Sequence, residues 1–190
     1  TDQSVRQHNF MRRVPEVAAA QVLTLIRQGN LTAADRVAQA HKLPMSQARV
    51  YLAQGDVPAA LAVLDSLRQH MEARGWQDER LKAMVLQAVA LHMQGEQDKA
   101  VELLGDALAL AEPGGFIRIF VNEGPPMAQL LSEAVAQGVM PDYAGRLLAV
   151  FEMEKQKGEG KPDLPPAQPL IGPLSQRELE VLQLIAQGLS

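Results

Sequence analysis

The sequence contains no cysteine, which excludes disulfide frameworks, thiolate zinc sites and a cysteine nucleophile. Aromatic residues are scarce: four Phe, two Tyr and one Trp in 190 residues. A sheet-dominated fold has little to build from here. An excess of positive charge is missing too, since 18 Lys+Arg face 22 Asp+Glu for a formal net charge of -4. That argues against a dominant nucleic-acid surface within these residues, because phosphate binding rests on positive patches. The longest uncharged apolar stretch near the start, Val17 to Ile26, falls far short of a membrane span. No basic-then-apolar leader follows Thr1. The absence of cysteine fits a cytoplasmic protein. Thr1 is not an initiator Met, and the chain stops at Gly188-Leu189-Ser190 in the middle of a helix-turn signal. The expectation is a piece of a longer protein.

What is abundant is helix-forming. Ala (27) and Leu (26) make up 53 of the 190 residues, and Gln adds 19. Apolar residues recur at helical spacing in three runs: Val57, Ala60, Leu61, Leu64, Leu67, Met71; Leu81, Met84, Val85, Ala88, Leu91; and Ala100, Val101, Leu104, Ala107, Leu108, Ala111. Turn signals separate the runs at Gly29-Asn30, Gly55-Asp56, Gly95-Glu96 and Glu112 to Gly115. Asp56 reads as an N-cap with Pro58 in the first turn, and Thr32 with Asp35 as an acidic capping box.

A small motif repeats inside this pattern. Gln28-Gly29-Asn30, Gln54-Gly55-Asp56 and Gln94-Gly95-Glu96 each precede an Ala five residues after the Gly: Ala34, Ala60 and Ala100. The Gly closes one helix in the left-handed conformation and the polar residue opens the next. The Ala lets the two helices approach where they cross. The pattern resembles the tetratricopeptide repeat, best from Trp76 to Pro113, although the Gly-to-Gly intervals of 26 and 40 residues are uneven. The expected fold is all-α: antiparallel helical hairpins stacked into a superhelix, over residues 1–154. A plain antiparallel bundle with Gly turns is the alternative.

Residues 116–121, with Phe116, Ile117, Ile119, Phe120 and Val121, read either as a short strand or as a helix in which 116, 117, 120 and 121 share a face. The bracketing Pro-Gly-Gly and Gly-Pro-Pro favour the helix due next in the repeat. Met127 to Gln137 is its expected partner, and Asp142 to about Glu154 the last helix. Residues 155–173 are polar and broken by Gly and Pro, as a linker is. Within them, Gly158-Glu-Gly-Lys161 lacks the first Gly and the Ser or Thr of a phosphate loop.

The last seventeen residues carry the most specific pattern. Ser175 and Glu178 form a capping box, Leu174 and Leu179 a hydrophobic staple, and Val181, Leu182, Ile185 and Ala186 an apolar face before Gly188. Residues 174–190 resemble the first helix of a LuxR-type helix-turn-helix domain, L-[ST]-x-R-E-x-E-V-L-x-L-[IL]-A-x-G-[LY]-[ST]. Leu174, Ser175, Arg177, Glu178, Val181, Leu182, Ala186, Gly188 and Ser190 stand at motif positions. With a repeat body ahead of it, the chain resembles the MalT-like group of large LuxR-type transcriptional activators, and residues 114–131 are similar to a recurrent stretch of that group. The resemblance implies a sensor region that binds an inducer or a partner protein on its repeat groove and controls a C-terminal DNA-binding domain. It implies DNA contact only through a recognition helix beyond Ser190, an ATPase module upstream, self-association and no membrane. No cofactor is expected within these residues.

Candidate ligand contacts are the polar and aromatic residues Tyr51, Trp76, Arg80, Arg118 and Glu123, with packing as the simpler role for Tyr51 and Trp76. The four histidines, His8, His41, His70 and His92, are scattered and lack metal-ligand spacing. No nucleophile-elbow sequence occurs, so an enzyme is disfavoured. The second functional reading is a repeat adaptor that binds a protein or peptide and no small inducer.

Overall fold

The structure, a computed structural model, describes the backbone of residues 2–159 and the side chains of residues 14–156. Residues 160–173 of the expected linker and the helix expected at 174–190 lie outside the described residues. Among the described residues nine α-helices and no strand occur. α1 (Asp2–Arg27), α3 (Pro44–Gln54) and α5 (Gln77–Gln94) each pack against the helix that follows, α2 (Leu31–Ala40), α4 (Val57–Ala73) and α6 (Gln97–Ala111). α2 in turn packs on α3, and α4 on α5, so each hairpin rests on the next. The short α7 (Arg118–Val121) and α8 (Pro125–Ala136) close the stack, and α9 starts at Pro141. It continues to Glu159, five residues into the stretch read as linker.

The repeated motif sets this stacking. Gly55 and Gly95 adopt φ values of 81° and 85°, a region that costs little only for glycine. Ala34, Ala60 and Ala100 are each 0% exposed. Asn30 and Asp56 accept hydrogen bonds from the backbone N–H of Ala33 (3.2 Å) and Ala59 (3.1 Å), as N-caps do. Asn30 therefore caps α2, and the capping box expected at Thr32 does not form. Asp35 already lies inside that helix, and its carboxylate accepts instead from the amides of Gln39 (2.8 Å) and Gln47 (2.5 Å). An added Cβ at Gly95 would meet no atom within 4 Å, so Gly95→Ala costs only backbone strain. Gly95→Ala and Asp56→Ala are each expected to lower stability by about 1 kcal/mol. Urea denaturation measures both, and an unchanged midpoint would show that the turns are not held this way.

Burial follows the stack in three clusters. Val22, Ala34, Ala38 and Val50 fill the first. Ala48, Leu52, Ala60, Leu64 and Leu86 fill the second. The third and largest holds Leu104, Leu108, Phe120, Leu130 and Leu147. α5 contributes to both of the larger clusters, and residues 83–90 are buried without interruption. A helix that is apolar on more than one face is enclosed on more than one side.

Residues 112–124 form an elbow. Glu112–Gly114 make a 3-10 turn, and only Arg118–Val121 are α-helical. The helical reading of 116–121 holds for one turn, Arg118–Val121, flanked by Ile117 and Asn122. Gly124 has φ 75° and ψ -156°, a conformation open essentially to glycine. Phe120 and Val121 are buried, whereas Phe116 and Ile117 are 39% and 40% exposed and do not share their face.

Tyr143 on α9 fixes this elbow. Its hydroxyl donates to the Phe116 carbonyl at 2.6 Å, and its ring meets Phe120 edge-on at 6.3 Å. Burial pushes the phenol above its ordinary pKa, with Arg146 opposing and Glu112 adding to the rise. The folded state then holds this proton more tightly than the unfolded state. Stability from that difference is fully present below about pH 10 and is lost as pH rises through the folded value. Tyr143→Phe is expected to cost about 1 kcal/mol at pH 7 and to remove that alkaline loss. Urea melts at pH 8 and 10.5 check it. Parallel losses in both proteins would contradict the assignment.

Candidate functional site: a groove divided by an ion pair

The first helices of the hairpins share an inner face. On α3, Met45, Ser46, Arg49, Leu52 and Ala53 recur at helical spacing. On α5, Glu79, Lys82, Leu86, Val89 and Met93 do the same. Leu23 of α1 and Glu123 after α7 complete the walls. The groove consists of two adjoining chambers of about 300 and 350 Å³, each at the lower end of the range for small-molecule pockets.

One ion pair stands between the chambers. Arg49 donates from both terminal nitrogens to Glu123, at 2.5 Å and 2.6 Å. The two side chains are 25% and 6% exposed. Leu23, Arg49 and Glu123 line both chambers. A bidentate, largely buried pair is stronger and more rigid than a surface contact. It ties α3 to the elbow, 74 residues later in the chain.

The chambers differ in chemistry. One has apolar walls of Ala19, Met45 and Ile119 to which Ser46, Glu79, Lys82 and Asn122 add polar groups, and the Lys82 ammonium meets Glu79 at 2.8 Å. Leu52, Leu86, Val89, Met93 and Pro126 make the other apolar. Leu23 and Met93 are 39% and 46% exposed, so apolar surface continues to the rim. Among the described residues no aromatic side chain lines either chamber.

The residues singled out from sequence do not converge. Glu123 lines the groove. Tyr51 packs against the second apolar cluster. Trp76 precedes α5 and is 48% exposed, with the Arg74 guanidinium 5.0 Å from its ring centre. Arg80 contacts Gln77 at 3.4 Å and Glu72 at 3.7 Å, and Arg118 opens α7. The first-helix positions Leu174 to Ser190 lie outside the described residues. Sequence reasoning missed Arg49 and Lys82. One signal was available: Leu86 and Met93 are apolar residues of α5 outside the cluster that α5 shares with α6. Such a surplus marks a second covered face.

Among the described residues no group of three or more His, Asp or Glu is placed to hold a metal ion. No described helix is long and apolar enough to cross a membrane.

Helical hairpins closed by left-handed glycines, with their first helices lining one groove, define a tetratricopeptide-type solenoid. The family model described as the MalT-like TPR region matches residues 1–137, and the chain belongs to that family. It is similar to the HTH-type transcriptional regulator MalT of Klebsiella pneumoniae subsp. pneumoniae, with 30% identity over 161 residues. That match covers 75% of this chain and 18% of the relative. No solved structure matches the chain.

Proposed function

We propose that the chain is the effector-sensing and coupling segment of a transcriptional regulator, acting by binding and not by catalysis. The carrying observation is the groove on the inner face of the stack, closed at its centre by the Arg49–Glu123 pair. A molecule held there would touch α1, α3, α5 and the elbow at once. It would favour whichever arrangement of the hairpins gives it the most contacts, and the equilibrium shifts by that difference in affinity. The similarity to a helix-turn-helix regulator and the motif at 174–190 support a DNA-binding domain as the recipient of the shift.

Ala53 is exposed at the rim of the apolar chamber, so Ala53→Phe narrows the chamber without entering the core. In a regulator carrying this chain and its DNA-binding domain, Ala53→Phe is expected to abolish effector-dependent reporter activation. DNA binding and the circular-dichroism melt should stay unchanged. Activation that survives with the same effector dose dependence would sink the proposal.

A further inference from the structure

We propose that the divided groove takes an amphipathic monocarboxylate, its head on the Arg49 guanidinium beside Lys82 and its apolar tail in the Leu52–Met93 chamber. This rests on the groove being the effector site and names the class of effector.

Any molecule that spans both chambers passes the ion pair they share. The partner presented to it is Arg49, because Glu123 is covered to 6% exposure and Arg49 remains 25% exposed. A guanidinium carries five N–H donors in a planar fork, and the pair with Glu123 uses two. A carboxylate therefore gains charge-assisted hydrogen bonds from Arg49 without displacing Glu123. Lys82 lines the same wall with its ammonium on Glu79 at 2.8 Å, so the wall carries no net charge and the head group is held by the spare Arg49 donors. The acidic residues of that wall are already matched, Glu123 by Arg49 and Glu79 by Lys82. An amine would have to reach Glu123, only 6% exposed, past the guanidinium of Arg49. A sugar would lack an aromatic platform, since no aromatic residue lines either chamber among the described residues. The tail follows from the second chamber, whose volume of about 350 Å³ is walled by Leu52, Leu86, Val89 and Met93.

The probes are octanoate, octanol and octylamine, titrated calorimetrically into the full chain, with butanoate and hexanoate for the length series. Octanoate is expected to bind at least tenfold more tightly than octanol or octylamine. Its affinity should rise about fourfold per added methylene from butanoate. Arg49→Gln should weaken octanoate at least tenfold, and Arg49→Lys less. Glu123→Gln keeps a hydrogen-bond acceptor opposite Arg49 and removes the competing carboxylate, so octanoate should bind as well or more tightly. A merely structural clasp would make Arg49→Gln and Glu123→Gln lose binding alike, which would overturn the proposal, as would the absence of octanoate binding. Equal binding of all three eight-carbon probes, lost in Ala53→Phe, would remove the head-group assignment and leave the groove as the effector site. Octanoate binding unaffected by Ala53→Phe would remove both.

Discussion

Phe120→Ala lowers the free energy of unfolding by about 3–5 kcal/mol, which for a domain of this size moves the melting temperature by about 10 °C. Phe120 is among the largest fully buried side chains. It belongs to a one-turn helix whose own backbone bonds hold almost nothing in place. The ring is what pins the elbow to the largest cluster, packed with Leu104, Leu108 and Leu130 and edge-on to Tyr143. Removing it leaves a cavity under a segment fixed at both ends by Gly115 and Gly124, which limits collapse. The elbow also carries Glu123, so the variant should loosen the groove as well as the core. Chemical denaturation and amide exchange at residues 118–124 measure the two effects. A loss below about 1 kcal/mol would mean that the elbow is held by something other than this ring.

Arg49→Ala is expected to cost about 3 kcal/mol, at the lower end for breaking a buried ion pair, because Arg49 is a quarter exposed. The variant strands a carboxylate that is 6% exposed and has lost both of its short bonds. Glu123→Ala should cost less than half as much, since the long arginine side chain can carry its charge to water. The double variant should be more stable than Arg49→Ala alone, because the stranded charge is gone. Urea melts of the three variants test the asymmetry. Equal costs for the two single variants would show that the pair is not buried from one side.

The hairpin architecture was legible because it is written locally. Gln-Gly-polar with Ala five residues later specifies the turn and the close helix crossing, with Ala34, Ala60 and Ala100 all fully buried; Asn30 and Asp56 cap as expected, whereas the Glu96 side chain makes no cap bond. The groove was not legible in the same way. Arg49 and Glu123 are 74 residues apart, and nothing in the spacing of either announces the other. Choosing polar and aromatic residues favoured Trp76 and Arg80, which sit together where α4 passes into α5. The feature that points inward is subtler: α5 is apolar on more faces than one packing partner needs, from Leu81 through Leu86 to Met93. The elbow was ambiguous for a physical reason. Phe116 to Val121 suit a strand by residue type and a helix by position, and a single turn, Arg118–Val121, forms.

On the function proposed above, the face divided by Arg49 and Glu123 is where the effector binds. A ligand-observed and protein-observed NMR screen of small organic fragments tests it most directly, run on the wild type, Ala53→Phe and a control, Glu102→Gln, exposed on α6. Hits are expected to shift resonances of Leu23, Arg49, Leu86 and Met93, compete with one another, disappear in Ala53→Phe and persist in Glu102→Gln. Hits that bind Ala53→Phe as well as the wild type, or that shift only α2, α4 and α6, would contradict it.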